Sequence, residues 1–207
     1  NPLTGDVKLF AAVSSVGQKT VAFEDRVHDL RSRMEVSRLL HEMPKPTLAV
    51  IPGPAAGAGL SLALACDLRI AAKDAKLTTA FSKVGLSGDF GGSYFLTYLV
   101  GVAKARELYF TGRVLLGQEA LELGIVNRVA TADHLEQEAN SYAEELAALP
   151  TLAVGYMKKN LNAALKGSLG DVLDCEAIHM IRTFETEDHK QAAQAFLEKR
   201  APEFSGQ

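Results

Sequence analysis

A run of small residues, GPAAGAGLSLALACD from Gly53 to Asp67, constrains the fold of this chain most strongly. It follows a short apolar stretch, TLAVI, that predicts a buried strand, and it leads into a helix predicted over Leu60 to Cys66. A loop that only turns the chain needs few glycines, whereas glycine and alanine supply six of the seven residues from Gly53 to Gly59, the other being Pro54. Because residues this small let a ligand approach the backbone closely, we expect a strand, a binding loop and a helix in succession.

Size and charge narrow the class of protein. The 207 residues, 47 % of them hydrophobic, suit one domain with a sizeable core. Lysine and arginine total 22 against 25 aspartates and glutamates, a net charge of −3, so nothing indicates a nucleic-acid or membrane partner. No stretch resembles a signal peptide or a membrane span, and Cys66 and Cys175 lack metal-ligand spacing. We expect a reduced, cytoplasmic protein without a metal site, in which both cysteines serve packing.

Hydrophobic periodicity and turn signals divide the chain into an α/β part followed by a helical part. Apolar residues at three- and four-residue steps predict an amphipathic helix over Glu24 to Met43, which the sequence PKP ends. The next predicted elements are strands at TLAVI, DLRIAA and AKLTTA, a second glycine-rich loop at GLSGDFGG (Gly85 to Gly92), and a helix over Ser93 to Tyr109. From Gly117 onward nearly every segment predicts helix, with a break near Thr186 to Asp188.

Two uses compete for a small-residue loop that opens a helix: binding a phosphate, or binding the oxyanion that develops on a reacting carbonyl. The phosphate patterns G-x-x-x-x-G-K-[ST] and G-x-G-x-x-G do not fit, since no lysine follows Gly59 and Leu62 stands three residues after it. An oxyanion site needs a second donor and a nearby acid or base, and GLSGDFGG offers Asp89. From the residues alone, Asp89 is either an N-cap of the next helix or a catalytic carboxylate.

Two stretches carry a resemblance to a known family. The segment KPTLAVIPGPAAGAGLSLALACDLRIAAKDAKLTTA, followed by GLSGDFGGSYFLTYLVGVAKARELYFTGRVLLGQEALELGIVNRV, resembles the crotonase superfamily, also called the enoyl-CoA hydratase/isomerase family. The resemblance implies an α/β spiral of ββα units over residues 1–145, then a helical region over residues 146–207 that drives assembly into a homotrimer or a dimer of trimers. Family members have several dozen residues before the position of GDVK, so it also implies that the N-terminal part of the core is missing.

The resemblance further implies a ligand and the groups that bind it. Such proteins bind acyl-CoA thioesters and stabilise a thioester enolate with two backbone N–H groups; coenzyme A is part of the substrate, and no separate cofactor is implied. The matching positions place the oxyanion hole at Gly5 and Ala58, with Gly57 and Gly59 beside the thioester. Candidates for binding the coenzyme A phosphates are Lys8, Lys45, Lys199 and Arg200. Of these, only Lys8, beside Gly5 and Asp6, lies where the resemblance places the ligand.

The chain departs from the hydratases of that family at two positions. They carry glutamates where Ser61 and Phe81 stand here, and neither residue can move protons as a carboxylate does. We expect Ser61 and Phe81 to line the substrate pocket instead. Asp89 matches the aspartate of dienoyl-CoA isomerases and ring-epoxide phenylacetyl-CoA isomerases, and the nucleophile of chlorobenzoyl-CoA dehalogenase. We therefore expect double-bond isomerisation, with Asp89 as the catalytic proton shuttle.

Four alternatives remain open from the sequence. One is hydration without the usual glutamate pair, and a second is nucleophilic attack by Asp89. A third takes Ser61 as a hydrolytic nucleophile, because Gly59, Leu60 and Ser61 match half of a G-x-S-x-G elbow. The fourth, from another class, is an acyl-CoA-binding protein that kept the fold and lost the chemistry.

Overall fold

The computed structural model of the protein describes residues 21–207, which form two compact units. The described part of the first unit comprises residues 21–41 and 47–139, and the second comprises residues 42–46 and 140–207. The first unit contains both glycine-rich loops. These loops carry the candidate site.

Short strands alternate with helices in the first unit. Its elements in chain order are α1 (Phe23–Arg33), α2 (Glu35–Glu42), β1 (Leu48–Ile51), β2 (Ala55–Ala56), α3 (Ala58–Ala65), β3 (Leu68–Ala72), β4 (Lys76–Thr78), a 3₁₀ turn (Phe81–Val84), α4 (Gly92–Thr111), β5 (Leu115–Leu116), α5 (Gly117–Glu122), β6 (Arg128–Ala130) and α6 (Leu135–Ala147), whose C-terminal part extends into the second unit. Helix α4 is kinked at Gly101, whose φ of 77° and ψ of 161° are not helical.

The strands form two small sheets. The first is fully parallel in the order β1-β3-β6, and the register pairs Ile51 with Ala71 and Ala71 with Val129. The second has the order β2-β4-β5, with β2 parallel and β5 antiparallel to β4. Parallel sheets are covered on both faces, which explains why β3 reads Leu-Arg-Ile-Ala-Ala without polar alternation.

One apolar cluster joins these elements. Its fully buried side chains include Ile70 and Leu77 from the sheets, Leu96 from α4 and Ile125 from the turn between α5 and β6. Arg69 is also buried, and its guanidinium donates to the carbonyl oxygens of Ile125 (2.6 Å) and Cys66 (2.6 Å). A buried charge is tolerated where its donors are satisfied in this way, so Arg69 links the end of α3 to the segment before β6.

The second unit is mainly helical. Besides the end of α6, it contains α7 (Thr151–Ala164), α8 (Leu169–Phe184) and α9 (Glu187–Glu198). Ser168 and Asp171 form a capping box at the start of α8, and the Thr186 hydroxyl accepts from the His189 N–H at the start of α9. Asp188 is 4 % exposed, and its carboxylate accepts the N–H groups of Ser205 (2.7 Å) and Gly206 (3.0 Å), which anchors the end of the chain.

Most predicted elements are present, with two kinds of correction. The single helix predicted over Glu24 to Met43 is wrong: the structure has α1 and α2, which meet at Met34. The apolar spacing already changes there, from Met34 to Val36, so one continuous helix would turn the two apolar stripes to different sides. The sequence analysis also missed β2, β5 and β6, because strands of two or three residues carry too short a pattern to detect.

A substitution at Gly117, where β5 passes into α5, tests the packing of the first unit. A Cβ at this position would overlap the carbonyl oxygen of Ala72, which belongs to rigid sheet backbone. We expect Gly117→Ala to lower the free energy of unfolding by about 1–3 kcal/mol, as overpacking does. Chemical denaturation of the variant measures this change.

Gly53→Ala is the matched control, because a Cβ there meets nothing within 4 Å and the backbone has no positive φ. Alanine restricts the unfolded chain more than glycine does, so we expect the free energy of unfolding to stay the same or to rise by about 0.4–1 kcal/mol. Equal losses in both variants would contradict the packing assigned to Gly117.

Candidate active site

The first glycine-rich loop presents the N-terminus of α3. Gly57 precedes this helix with φ 53° and ψ −124°, a conformation that L side chains rarely adopt. Its N–H donates to the Thr78 carbonyl oxygen (3.1 Å), which ties the loop to β4. The Ala58 N–H begins the helix, and the first N–H groups of a helix have no acceptor within it. The loop therefore offers a backbone donor at the positive end of a helix dipole.

Ser61 lies one turn into α3 and is almost fully enclosed, with 2 % of its surface exposed. Its hydroxyl donates to the Gly57 carbonyl oxygen (3.2 Å). A serine nucleophile must be accessible and must pass its proton to a base, whereas this proton goes to a backbone carbonyl. The geometry does not favour the hydrolytic alternative.

The second glycine-rich loop holds Asp89 in an unusual backbone. Gly88, Phe90 and Gly91 all have positive φ, at 117°, 49° and 75°, and Phe90 is one of few non-glycine residues described with this conformation. The Ser37 hydroxyl of α2 donates to the Phe90 carbonyl oxygen (2.8 Å), which holds the turn. A positive φ at phenylalanine is costly, so the loop keeps this shape because its surroundings impose it.

Asp89 does not cap α4. The N-cap residue is Gly91, and no side chain caps this end of the helix. The Asp89 Oδ1 atom is buried and has no hydrogen-bond partner. Burial raises the pKa of Asp89 above its usual range, since desolvation penalises the carboxylate. Of the two interpretations left open by the sequence, the geometry excludes the capping one.

Two aromatic rings pack between the loops. A Cβ added at Gly57 would lie 3.5 Å from the Phe81 ring, and one added at Gly88 would lie 3.7 Å from the same ring. Tyr109 of α4 stacks on Phe81, with ring centroids 6.1 Å apart and planes inclined by 14°. Phe81 is 6 % exposed, so its main role is to pack between the two loops.

Tyr109 is the residue that the sequence analysis missed. Its ring stacks on Phe81, and its hydroxyl oxygen borders the same space as Ser61 Oγ, since a Cβ at Gly92 would approach both atoms. The charge of Asp89 acts on the hydroxyl electrostatically. Burial is the main reason that the pKa of Tyr109 rises to about 12, so the phenol stays protonated at neutral pH. Nothing in the local sequence singles out a tyrosine near the end of an apolar helix, because its role depends on which residues the fold places opposite it.

The structure thus brings together most of the residues predicted from sequence. The members of this cluster are Gly57, Ala58, Gly59, Ser61, Phe81 and Asp89, all of which belong to the first unit. Gly5 and Lys8, predicted as the second oxyanion donor and as a ligand of the coenzyme A phosphates, lie outside the described residues.

The described residues also show whether metal-binding groups or helices able to span a membrane are present among them. Within residues 21–207, no group of three His, Cys, Asp or Glu side chains is arranged to hold a metal ion. No helix in that part of the chain combines the length and apolarity needed to cross a bilayer. Cys66 and Cys175 are each half-buried.

Comparison with known proteins identifies the fold and the family. The family model described as "Enoyl-CoA hydratase/isomerase" matches residues 3–207. The chain is 35 % identical to the 1,2-epoxyphenylacetyl-CoA isomerase of Escherichia coli over 99 % of its own length and 80 % of the relative's. It is 36 % identical to a probable enoyl-CoA hydratase of Bacillus subtilis, over 98 % and 76 % of the two chains.

Among solved structures, a putative enoyl-CoA hydratase from Streptomyces coelicolor superposes with a TM-score of 0.90 at 32 % identity, over 98 % of this chain and 73 % of that one. These matches confirm the expected α/β crotonase-type fold with a helical C-terminal region. The loop, the helix that it opens and the match over nearly the full length lead to one conclusion: the chain belongs to the enoyl-CoA hydratase/isomerase family of the crotonase superfamily.

Proposed function

We propose that this enzyme isomerises an acyl-CoA thioester by moving a proton between two carbons, with Asp89 as the shuttle. The observation that carries the proposal is the buried Oδ1 of Asp89, which has no hydrogen-bond partner. Buried polar atoms are nearly always paired, and an unpaired one costs stability. A substrate that approaches this oxygen would supply the missing partner.

The environment of Asp89 suits proton transfer in both directions. A general acid/base works best when its pKa lies near the working pH, and burial raises the pKa of this carboxyl in that direction. The positive φ values of Gly88 and Phe90 set the course of the backbone on both sides of Asp89, and desolvation is the cause of its raised pKa. Asp89 therefore combines a raised pKa with a buried oxygen that has no partner among the described residues, as a proton shuttle requires.

The oxyanion loop supplies the other half of the reaction. Asp89 removes a proton from a carbon next to the thioester or its conjugated extension, and the electron pair moves onto the thioester oxygen as an enolate. The Ala58 N–H donates to that oxygen, with the N–H of Gly5 proposed as the second donor. Collapse of the enolate takes the same proton from Asp89 at a different carbon, so the double bond moves and nothing is added or lost. Fixed donors favour the step because negative charge grows there only as the enolate forms.

Hydration is the second candidate function, because the relative from Bacillus subtilis is named a probable enoyl-CoA hydratase. Against it, Ser61 donates its proton to a backbone carbonyl and Phe81 is packed between loops, so neither holds a water as a carboxylate would. The first relative described above is named an isomerase, which supports the proposal in preference to hydration.

Proton exchange tests the shuttle directly. The enzyme is incubated in deuterated water with saturated, 2-enoyl, 3-enoyl and dienoyl thioesters of coenzyme A, and mass spectrometry and NMR follow deuterium uptake and double-bond position. We expect Asp89→Asn to slow both processes by roughly 100- to 10,000-fold, the usual contribution of a general acid/base. Asp74→Asn, the same change at an exposed carboxylate of this unit, should leave them unchanged.

Two outcomes would overturn the proposal. Net addition of water that survives in Asp89→Asn would favour a hydratase without the glutamate pair. Tight binding of the thioesters with no exchange on any of them would favour a non-catalytic acyl-CoA-binding protein.

The desolvation of Asp89 predicts a pH dependence of stability. Burial raises the pKa of Asp89 in the folded state. Ionisation of the carboxyl therefore costs folding free energy once the pH rises above the pKa of the unfolded state, and the full cost is reached above the pKa of the folded state. Asp89→Asn should therefore stabilise the protein at neutral pH, and the gain should vanish as the pH falls below 3.8, the ordinary value for aspartate. Thermal melts from pH 3 to pH 8 measure it.

Asp171→Asn provides a control of opposite sign. Hydrogen bonds from Ser168 lower the pKa of Asp171, so its carboxylate stabilises the folded state above the ordinary pKa. This variant should lose stability at neutral pH, and the loss should disappear in acid as the native carboxyl becomes protonated. A change in stability of the same sign in both variants at neutral pH would contradict the electrostatic account of Asp89.

We also propose that the chain assembles as the homotrimer, or dimer of trimers, that the family resemblance implies. The second unit supports this with large apolar side chains that are more than half exposed, namely Leu169, Met180, Ile181, Phe196 and Leu197. Light scattering after gel filtration should give three or six times the chain mass. A single-chain mass would contradict it.

A further inference from the structure

We propose that Ser37 is a positioning residue: its hydroxyl holds the central peptide of the turn from Asp89 to Gly92, and thereby sets the direction of the Asp89 carboxyl. The inference rests on the proposed function only for the chemical role of Asp89. It gives a task to α2, which supplies no group to the proposed proton shuttle.

Asp89 is the first residue of a tight turn. The Gly92 N–H donates to the Asp89 carbonyl oxygen (3.1 Å), and the central residues Phe90 and Gly91 have φ values of 49° and 75°. Positive φ at both central residues defines a type I′ turn. This turn type favours asparagine, aspartate or glycine at the first central position, so the local sequence, with Phe90 there, does not select it.

The peptide between Phe90 and Gly91 has two orientations open to it. In a type II′ turn the same peptide is rotated, so that only the first central residue keeps a positive φ, and the ends of the turn stay close. Gly91 tolerates φ of either sign because it has no side chain. In the orientation observed, the Phe90 carbonyl oxygen accepts the Ser37 hydroxyl (2.8 Å), a bond that rotation of the peptide would break. Ser37 therefore selects one of the two orientations.

Ser37 stands where an apolar residue would be expected. Of the eight residues of α2 it alone is buried, with 5 % of its surface exposed. Serine hydroxyls within helices often bond to the carbonyl four residues earlier, whereas this one reaches across 53 residues of sequence to Phe90. A buried hydroxyl is costly without a partner and an alanine would need none, so the bond to Phe90 accounts for a serine at this place.

Contacts with Phe95 fix both ends of this hydrogen bond. On the donor side, the His41 ring lies one turn beyond Ser37 on α2, with its centroid 5.2 Å from that of Phe95. On the acceptor side, a Cβ at Gly91 would lie 2.9 Å from the Phe95 ring. Hydrogen bonds weaken with distance and misalignment, and a donor and an acceptor that pack on the same ring stay aligned.

The orientation of the turn bears on the Asp89 carboxyl. Because the Asp89 carbonyl group is bound within the turn, the central peptide constrains the backbone on the C-terminal side of Asp89. The direction of its Cα–Cβ bond follows that backbone. In this arrangement Oδ1 is buried, and desolvation raises the pKa of the carboxyl. If the peptide rotates, we expect the carboxyl to gain access to water.

The sequence allows the central peptide to be observed alone. Phe90–Gly91 is the only Phe–Gly pair among the 207 residues. Deuterated protein labelled with carbonyl-¹³C phenylalanine and ¹⁵N glycine should therefore give a single cross-peak in an HNCO spectrum, which reports the Phe90 carbonyl carbon and the Gly91 amide. The full chain is used, without substrate.

We expect Ser37→Ala to move the Phe90 carbonyl carbon upfield, as loss of a hydrogen bond to its oxygen does. Ser37→Thr, which keeps the hydroxyl, should leave the cross-peak close to its wild-type position. Ser32→Ala is the matched control, because it makes the same change at an exposed serine of α1. A cross-peak that does not move in Ser37→Ala overturns the inference.

Titration of the carboxyl distinguishes positioning from a purely structural role. The ¹³Cγ resonance of Asp89 is assigned by its absence in Asp89→Asn. In Ser37→Ala we expect the pKa of Asp89 to fall toward 3.8, since better solvation favours the carboxylate. Tyr109, the titratable group on which the charge of Asp89 acts, has a pKa of about 12 and stays protonated over this range. A loss of stability with the pKa of Asp89 unchanged would also overturn the inference.

Deuterium exchange then separates this inference from the proposed function. In Ser37→Ala we expect the maximal exchange rate to fall roughly ten- to hundredfold, as misplacement of a catalytic group does, with KM nearly unchanged. The same rate as in the wild-type enzyme would contradict the positioning role. A moved cross-peak and a lowered pKa of Asp89, with no exchange in the wild-type enzyme, leave the positioning role standing and overturn the proposed function instead.

Discussion

The close approach of two glycine-rich loops is the constraint on which the candidate site depends. Phe81 and Tyr109 stack in the space between Gly57 and Gly88. A Cβ at Gly57 would be in van der Waals contact with the Phe81 ring, and one at Gly88 would lie only 3.3 Å from the Tyr109 ring. Dispersion between closely packed atoms is weak for each pair and large in sum, so the rings fix the separation of the loops. The positions of the Ala58 N–H and of the Asp89 carboxyl follow from this packing.

Function and stability make opposite demands on the second loop. Asp89 places a buried oxygen where it has no partner, and Phe90 adopts a positive φ. Both features cost free energy, and the hydrogen bond from Ser37 to the Phe90 carbonyl offsets part of that cost. Strain gathered at one short loop, inside an otherwise regular α/β unit, is typical of a site that performs chemistry.

The sequence predicted the parts of the site that have a local pattern. Strand, small-residue loop and helix follow one another as expected around Gly57, and the position of Asp89 could be named because glycines surround it. Whether Asp89 caps a helix could not be decided, since that depends on the backbone angles of Gly91. Tyr109 could not be found at all, because only the fold places its ring against Phe81 and the loop at Gly88. Pairings between distant segments leave no periodic trace in a single sequence.

The proposed oxyanion donor at Ala58 is a main-chain group, and this has a consequence for how such an enzyme can change over generations. A side-chain acid such as Asp89 can be lost or replaced by one codon change, whereas nearly every amino acid supplies the same N–H. The loop can therefore retain its affinity for a developing negative charge while neighbouring positions drift. New reactions become accessible by exchanging a few side chains around an unaltered electrostatic centre. The backbone conformation of Gly57 is the feature that such substitutions must preserve.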